Sequence, residues 1–331
     1  MRILHVANFN LKKYGADLYA TDRKISAGLI RCGHAVYDFS YRDICRNESP
    51  LRTTRFGGAG LNRKLIKACD NLQPDILLLG HSELITKKTL AEIRHSHPTM
   101  RVGLWYVDAL FHREKASHIL ARRELIDVLF ATTGGELLKE YGPGGSRTAF
   151  IPNMVDNSVE TGQAFARTNW NYDFLFCGRD GNDLERRAFI QKLYDETSSF
   201  LHPTFRGCLG QPPLTGAAYI ELLSQTRMGL NLSRRNDVYL YSSDRLAQLL
   251  GNGLLTFCPR MNSSTLTILM TFSKNCITST RMLRKVAKLL KEAGKKPINI
   301  STVKKLAAIW LKCCLKHLSP KSMAGWTTTN K

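Results

Sequence analysis

The stretch "PDILLLGH" (Pro74 to His81) does most to limit what this chain can fold into. A strand apolar at every position has no face to offer water, so it belongs inside a parallel sheet covered on both sides. Similar runs recur as "MRILHVAN", "MRVGLWYVD" and "IDVLFATT", with "AVYDFSY" and "TAFIPN" as further strands. Between them lie segments of helical period. In "LYATDRKISAGLIRCG", Leu18, Ile25, Leu29 and Ile30 share one face and Gly33 is the stop. "LNRKLIKACDNL", "SELITKKTLAEIRHS" (with a Ser/Glu start) and "REKASHILARREL" read the same way. Strand and helix in strict alternation predict a doubly wound α/β unit.

After the polar stretch "VDNSVETGQAFARTNWN" the alternation restarts. Strand "YDFLFCG", helix "LERRAFIQKLYDETSS", strand "HPTFRG", helix "AAYIELLSQT", strand "MGLNLS", helix "SDRLAQLLG" and strand "LLTFC" follow in turn. A length of 331 residues suits two domains better than one core. We therefore expect two Rossmann-like units: residues 1–155, a linker over 156–170, and residues 171–260.

Past Arg260 the character changes, with neither another alternating run nor a helical face in "MNSSTLTILMTFSKNCITST". Residues 261–331 hold fourteen Lys and Arg against one acid, Glu292, so this tail carries +13 of the net +21 and leaves +8 for the rest. Two readings account for the break. One is a basic amphipathic tail that touches an anionic membrane or partner. The other is a shifted reading frame, which would leave the second domain without its last strand and helices. Nucleic-acid binding is disfavoured, because no ladder of stacking aromatics accompanies the basic residues. Nine cysteines without CxxC pairs, and a start lacking a signal-peptide core, predict a cytoplasmic protein, peripheral at most to the inner face of a membrane.

Ligands of open parallel sheets bind where strands end and helices begin. After the first strand stand Asn8, Tyr14 and Gly15, where glycine lets backbone approach a ligand at a helix start. No G-x-G-x-x-G fingerprint is near. His81 and Asp108 follow two other strands and make candidate general bases in one cleft. His81 also reads as a histidine bonded to backbone, and Asp108 as the cap of the next helix. In the second half, Arg179 follows a strand, Asn231 and Arg234 follow another, and Ser243 and Arg245 open a helix. Arginines near a helix N-terminus suit a diphosphate.

"YDFLFCG", "RMGLNLS" and "SDRLAQLLGNGLLTF" resemble the C-terminal domain of CgeB-like (spore-maturation type) glycosyltransferases. "PDILLLGH", "GLWYVDA" and "FIPNMVD" look like the N-terminal half and hinge of that group, so the resemblance spans residues 1–260. It implies a GT-B enzyme moving sugar from a nucleotide-sugar to a glycan or glycolipid acceptor in cell-surface polysaccharide or lipopolysaccharide synthesis. Arg245 matches the motif arginine that would neutralise the donor diphosphate, Asn231 the strand-end asparagine, and Gly253 the motif glycine. The motif glutamate falls on Gln248, which could still meet ribose hydroxyls without charge. The resemblance implies no bound metal, and no DxD-like motif stands at a strand end; beyond the nucleotide-sugar co-substrate no cofactor is expected. Two other readings stay open: a nucleotide-sugar epimerase of the same architecture, and an inactive relative that only binds nucleotide.

Overall fold

A computed structural model describes residues 1–142, 147–181, 183–235, 238–259, 266–272 and 275–277. The chain divides into two compact units, Met1–Glu160 with Val238–Ala247, and Thr161–Asp237 with the described residues from Gln248 onward.

The first unit runs β1 (Arg2–Ala7), α1 (Thr21–Arg31), β2 (Ala35–Ser40), α2 (Tyr41–Asn47), α3 (Gly58–Leu72), β3 (Ile76–Gly80), α4 (Lys87–Ser96), β4 (Arg101–Tyr106), α5 (Arg113–Arg122), β5 (Val128–Ala131), α6 (Gly135–Tyr141) and β6 (Arg147–Phe150). Its six strands lie in the order β2-β1-β3-β4-β5-β6, every pair parallel. Residues of alternating parity separate onto the two faces, as the pleat requires. Leu4, Val6, Leu77, Leu79, Val102, Leu104 and Leu129 pack with Leu61, Leu65, Leu90, Ile93, Ile119 and Leu138 of the helices. The opposite face joins Ala7, Phe9 and Trp105 to Ile25 and Leu29 of α1. Expectation and structure part here. Ile76, Leu78, Gly103, Val128 and Phe130 line an open apolar hollow of about 740 Å³ beside α1, so this face is only partly covered among the described residues.

Two helix boundaries also differ from the pattern. Thr21 opens α1, leaving Leu18 outside it, and Ile30 is 56% exposed. Helix α4 starts at Lys87, where the Thr86 side chain accepts from the Thr89 N–H, and not at Ser82. His81 and Ser82 have φ of 55° and 53°, a left-handed pair that cannot begin an α-helix. Helices α2 and α6, seven residues each, lack enough turns to show a period.

The second unit runs β7 (Tyr172–Cys177), α7 (Leu184–Ser198), β8 (Pro203–Arg206), α8 (Gly216–Ser224), β9 (Thr226–Leu230), α9 (Arg245–Gly251), β10 (Leu255–Pro259), β11 (Leu266–Phe272) and β12 (Asn275–Ile277). The chain passes from the first unit into the second within α9. Strand order is β12-β11-β10-β9-β7-β8, parallel over the four from β8 to β10 and antiparallel at the other edge. Phe174, Phe176, Phe205 and Phe257 pack with Ile190 and Leu193 of α7. The ring pairs meet at 5.8–6.3 Å between centroids.

Strand β11 corrects one expectation, since no further strand was foreseen beyond Arg260. "LTILMTF" is rich in β-branched and apolar residues. An antiparallel neighbour needs no crossover helix, so the strand–helix alternation gave no sign of it. The rest of the basic tail lies outside the described residues, and so do both readings of it.

Candidate functional site

In the first unit the chain leaves β1 to one side for β2 and returns to the other for β3, so β1 and β3 bracket a topological switch point. Asn8 stands just past β1 and His81 just past β3, with Asp108 two residues beyond β4. The structure thus brings Asn8, His81 and Asp108 to one edge of one sheet. Asn8 donates its N–H to Asp22 Oδ1 at 2.9 Å, while its buried side-chain Oδ1 has no partner. Tyr14 and Gly15 are placed differently from expectation. Tyr14 is 95% exposed, and Gly15, at φ 90°, precedes the start of α1 by six residues. Gly15 serves the turn, not the helix start.

His81 and Asp108 form the most defined pair at this edge. The Val107 N–H donates to His81 Nε2 at 3.4 Å, so that nitrogen is the acceptor and Nδ1 carries the proton. Nδ1 lies 3.9 Å from Asp108 Oδ2. The ring packs on Tyr106 at 4.5 Å and edge-on to Trp105 at 5.6 Å. Burial among them pushes the imidazole below its ordinary value, against the upward pull of Asp108 and Glu83. His81 is therefore neutral near pH 7 and its basic nitrogen is already engaged. Asp108, with its side chain 60% exposed, is the member that can meet a substrate. It caps no helix, for α5 begins after His112.

Sequence reasoning missed the residues that support this pair. Glu83 accepts from the Tyr41 hydroxyl and from Arg42, at 2.9 Å for Arg42 Nε. Burial raises the carboxyl, but these two partners outweigh it and hold Glu83 below the usual range. Arg122, last residue of α5 and 2% exposed, reaches the same loop from beneath. Nothing in "LARREL" tells Arg122 from Arg123 beside it, so the sequence carries no signal of such a role.

The segment Val238–Ala247 belongs to the first unit. Thr133 and Tyr241 form a bridge, Gly134 N–H donates to Leu240 O at 3.2 Å, and Asn153 Nδ2 donates to Ser242 O at 3.1 Å. Tyr241 meets Phe111 edge-on at 5.1 Å. A Cβ on Gly134 would come within 2.8 Å of Leu240, which is why glycine stands there. Ser243 and Arg245 lie within this segment, and so in the first unit and not the second as expected, and Arg245 opens α9, a helix of seven residues.

In the second unit the chain leaves β7 for β8 and returns past it to β9, so β7 and β9 bracket that sheet's switch point. Arg179 and Arg234, both exposed, stand on the two loops beside it. Arg186, from the first turn of α7, ties these loops together: Nε donates to Arg179 O at 3.1 Å, Nη2 to Leu232 O at 3.2 Å and Nη1 to Ser233 O at 3.3 Å. Asn231 is buried, its N–H donating to Phe257 O at 2.8 Å. Gln248 is 7% exposed and its Oε1 accepts from Tyr219 OH at 2.8 Å. This bond joins Gln248 to α8.

Among the described residues no group of three His, Cys, Asp or Glu is arranged to hold a metal ion, and no helix is long and apolar enough to cross a membrane. No family model matches the chain and no curated protein matches its sequence. Solved structures share its path in part. The lipopolysaccharide outer core galactosyltransferase WaaB, apo form, is 11% identical over 80% of this chain and 82% of that one, with a TM-score of 0.41. UDP-GlcNAc 2-epimerase from Neisseria meningitidis bound to UDP-GlcNAc is 13% identical over 70% and 77%, at 0.40. The spinosyn rhamnosyltransferase SpnG complexed with thymidine diphosphate is 10% identical over 77% and 80%, at 0.37. Likenesses at this level assign neither activity nor substrate.

Proposed function

We propose that this chain is a CgeB-like glycosyltransferase, moving a sugar from a nucleotide-sugar to a hydroxyl of a glycan or glycolipid in cell-surface polysaccharide synthesis. The observation that carries the reading is the exposed Asp108 carboxylate backed by the neutral, tautomer-fixed His81. Asp108 takes the proton of the acceptor hydroxyl as its oxygen bonds to the anomeric carbon. The bond from that carbon to the donor diphosphate breaks, and the nucleoside diphosphate leaves with the electron pair. His81 Nδ1 lies 3.9 Å from the carboxylate that receives this proton.

The donor falls to the second unit's switch point, where Arg179 and Arg234 offer guanidinium groups to a diphosphate. Arg245, which belongs to the first unit's segment Val238–Ala247, stays a donor-phosphate candidate on the strength of the motif it matches. Guanidinium groups would carry the leaving-group charge, so the reading does not call for a metal.

The test is transfer by the purified chain from a panel of nucleotide-sugars to glycan and glycolipid acceptors. Asp108→Asn should lower kcat by about 10²- to 10⁴-fold with nucleotide affinity unchanged. Arg245→Ala should lose about 2–4 kcal/mol of transition-state stabilisation. Donor turnover that needs no acceptor would replace transfer by epimerisation, and nucleotide binding without turnover would replace it by a binding role.

A further inference from the structure

Consecutive left-handed residues without glycine are costly, and His81–Ser82 is such a pair. The conformation persists only where its surroundings enforce it. Ser82 is wholly buried and its hydroxyl donates to His81 O at 2.8 Å. Main-chain bonds hold its two ends, His81 N–H donating to Trp105 O at 3.1 Å and Ile85 N–H to Ser82 O at 3.0 Å, and one side chain supplies the rest. Arg122 Nη1 donates to Ser82 O at 2.7 Å and to Ile85 O at 3.1 Å, and Nη2 donates to His81 O at 3.1 Å. Its Nε donates to His118 O at 3.1 Å, within its own helix. A buried guanidinium thus spends its donors on main-chain carbonyls of the turn that presents His81. The peptide dipoles of that turn, aimed inward, compensate a charge that burial would otherwise penalise.

We infer that Arg122 is a positioning residue: by clamping the left-handed His81–Ser82 turn it holds His81 in the orientation that turns Nδ1–H toward Asp108. This rests on the transfer reading proposed above for what Asp108 does, but not for where His81 sits. Without the clamp the turn relaxes toward ordinary φ, the ring swings from Val107 N–H, and either nitrogen can carry the proton. The guanidinium fork is essential, since a lysine supplies charge but cannot reach three carbonyls in fixed geometry.

The experiment compares wild type, Arg122→Lys, and Arg122→Lys combined with Ser82→Gly, because glycine takes positive φ without strain. The first readout is the ring nitrogen signals of His81 by NMR with 15N-labelled histidine. In wild type we expect one neutral tautomer, Nδ1–H. In Arg122→Lys we expect both tautomers and titration nearer the ordinary value. The second readout is transfer, where kcat should fall about 10- to 100-fold with donor affinity within twofold. Ser82→Gly in the Arg122→Lys background should recover part of both.

A folded Arg122→Lys with the wild-type His81 spectrum would overturn the inference, whatever its activity, and so would a wild type showing Nε2–H. Should Arg122→Lys alone fail to fold, the doubly substituted chain and the wild-type tautomer decide the matter. If the wild type transfers no sugar while the His81 spectra behave as expected, the transfer reading fails and the clamp stands.

Discussion

Both units pin a strand-end loop at a switch point with an arginine that donates to main-chain carbonyls, yet they do so in different surroundings. Arg122 is buried and holds two left-handed residues of one tight turn. Arg186 is half-buried, lies over the Phe176 ring at 5.8 Å, and spans two loops. The contrast extends inward. The first unit sets polar groups in its interior: Trp105 Nε1 donates to His5 Nε2 at 2.9 Å, His5 Nδ1 meets Ser26 Oγ at 2.7 Å, and Ser26 donates to Asp38 at 2.6 Å. Lys24 and Glu160 pair inside it as well. The second unit builds its core from phenylalanine rings. A chain of paired polar groups like Trp105–His5–Ser26–Asp38 fixes one geometry, whereas an aromatic core mainly supplies cohesion. The first unit fixes polar side chains in its interior, and the second leaves Arg179 and Arg234 exposed on its loops.

Acid is the strongest way to break that comparison. Burial lowers His5 to about 3 and His118 to about 4, and lowers His81 as well. Each binds a proton in the unfolded chain below about pH 6.5 but not in the folded one, so stability falls as pH drops through that range. For His5 the loss is about 3 kcal/mol at pH 4. Glu83, Asp127 and Asp156 are held low by their partners against burial, and their stabilisation is lost as pH falls further. Burial raises Asp22 to about 6 and raises Asp38, which works the other way and offsets a part near that of His5. The remaining groups set the sign, and all are in the first unit. Urea unfolding at pH 7 and pH 4.5, read peptide by peptide with a hydrogen-exchange pulse at one common pH, should show the first unit's midpoint falling and the second's holding. Parallel shifts would remove the contrast.

How much of this the sequence disclosed follows from the range of the interactions. Strand–helix alternation is local, so "PDILLLGH" and "YDFLFCG" announced β3 and β7, and strand ends located His81, Asp108, Arg179 and Arg234. What escaped depends on contacts across long separations. Arg122 meets a turn forty residues earlier, and nothing in "LARREL" marks it. Gln248 sat in a motif position, and its bond to Tyr219 on α8, twenty-nine residues earlier, left no mark there. The segment from Val238 looked like part of the second domain because it precedes α9, but glycine seats at 134 and 135 dock it on the first unit.

Two glycines sharpen the comparison by a smaller amount. Gly15 and Gly253 both take positive φ, 90° and 80°. A Cβ on Gly15 would meet nothing within 4 Å, whereas one on Gly253 would lie 2.5 Å from Phe165 Cδ1. Gly15→Ala should therefore cost only the left-handed penalty, about 1 kcal/mol. Gly253→Ala adds overpacking against an aromatic ring and should cost about 2–4 kcal/mol in total. Denaturant midpoints measure both, and equal losses would show that Phe165 yields freely.

The smallest effect expected is at Arg186. Its three donors bridge the loops that present Arg179 and Arg234, but among the described residues those loops carry no adjacent left-handed pair, and Asp180 is separately held by Leu209 N–H at 3.3 Å and by Arg187. Arg186→Met keeps the side chain's cover of Phe176 and deletes the bonds to carbonyls that water can reach. Those bonds are net weak, so stability should fall by about 1 kcal/mol. Freed loops would pay more to order around a diphosphate, so nucleotide affinity measured by calorimetry should drop about threefold to tenfold with a more unfavourable entropy. If Arg186→Met instead abolished binding, Arg186 would itself be a ligand contact, and the second unit would hold its chemical groups as firmly as the first.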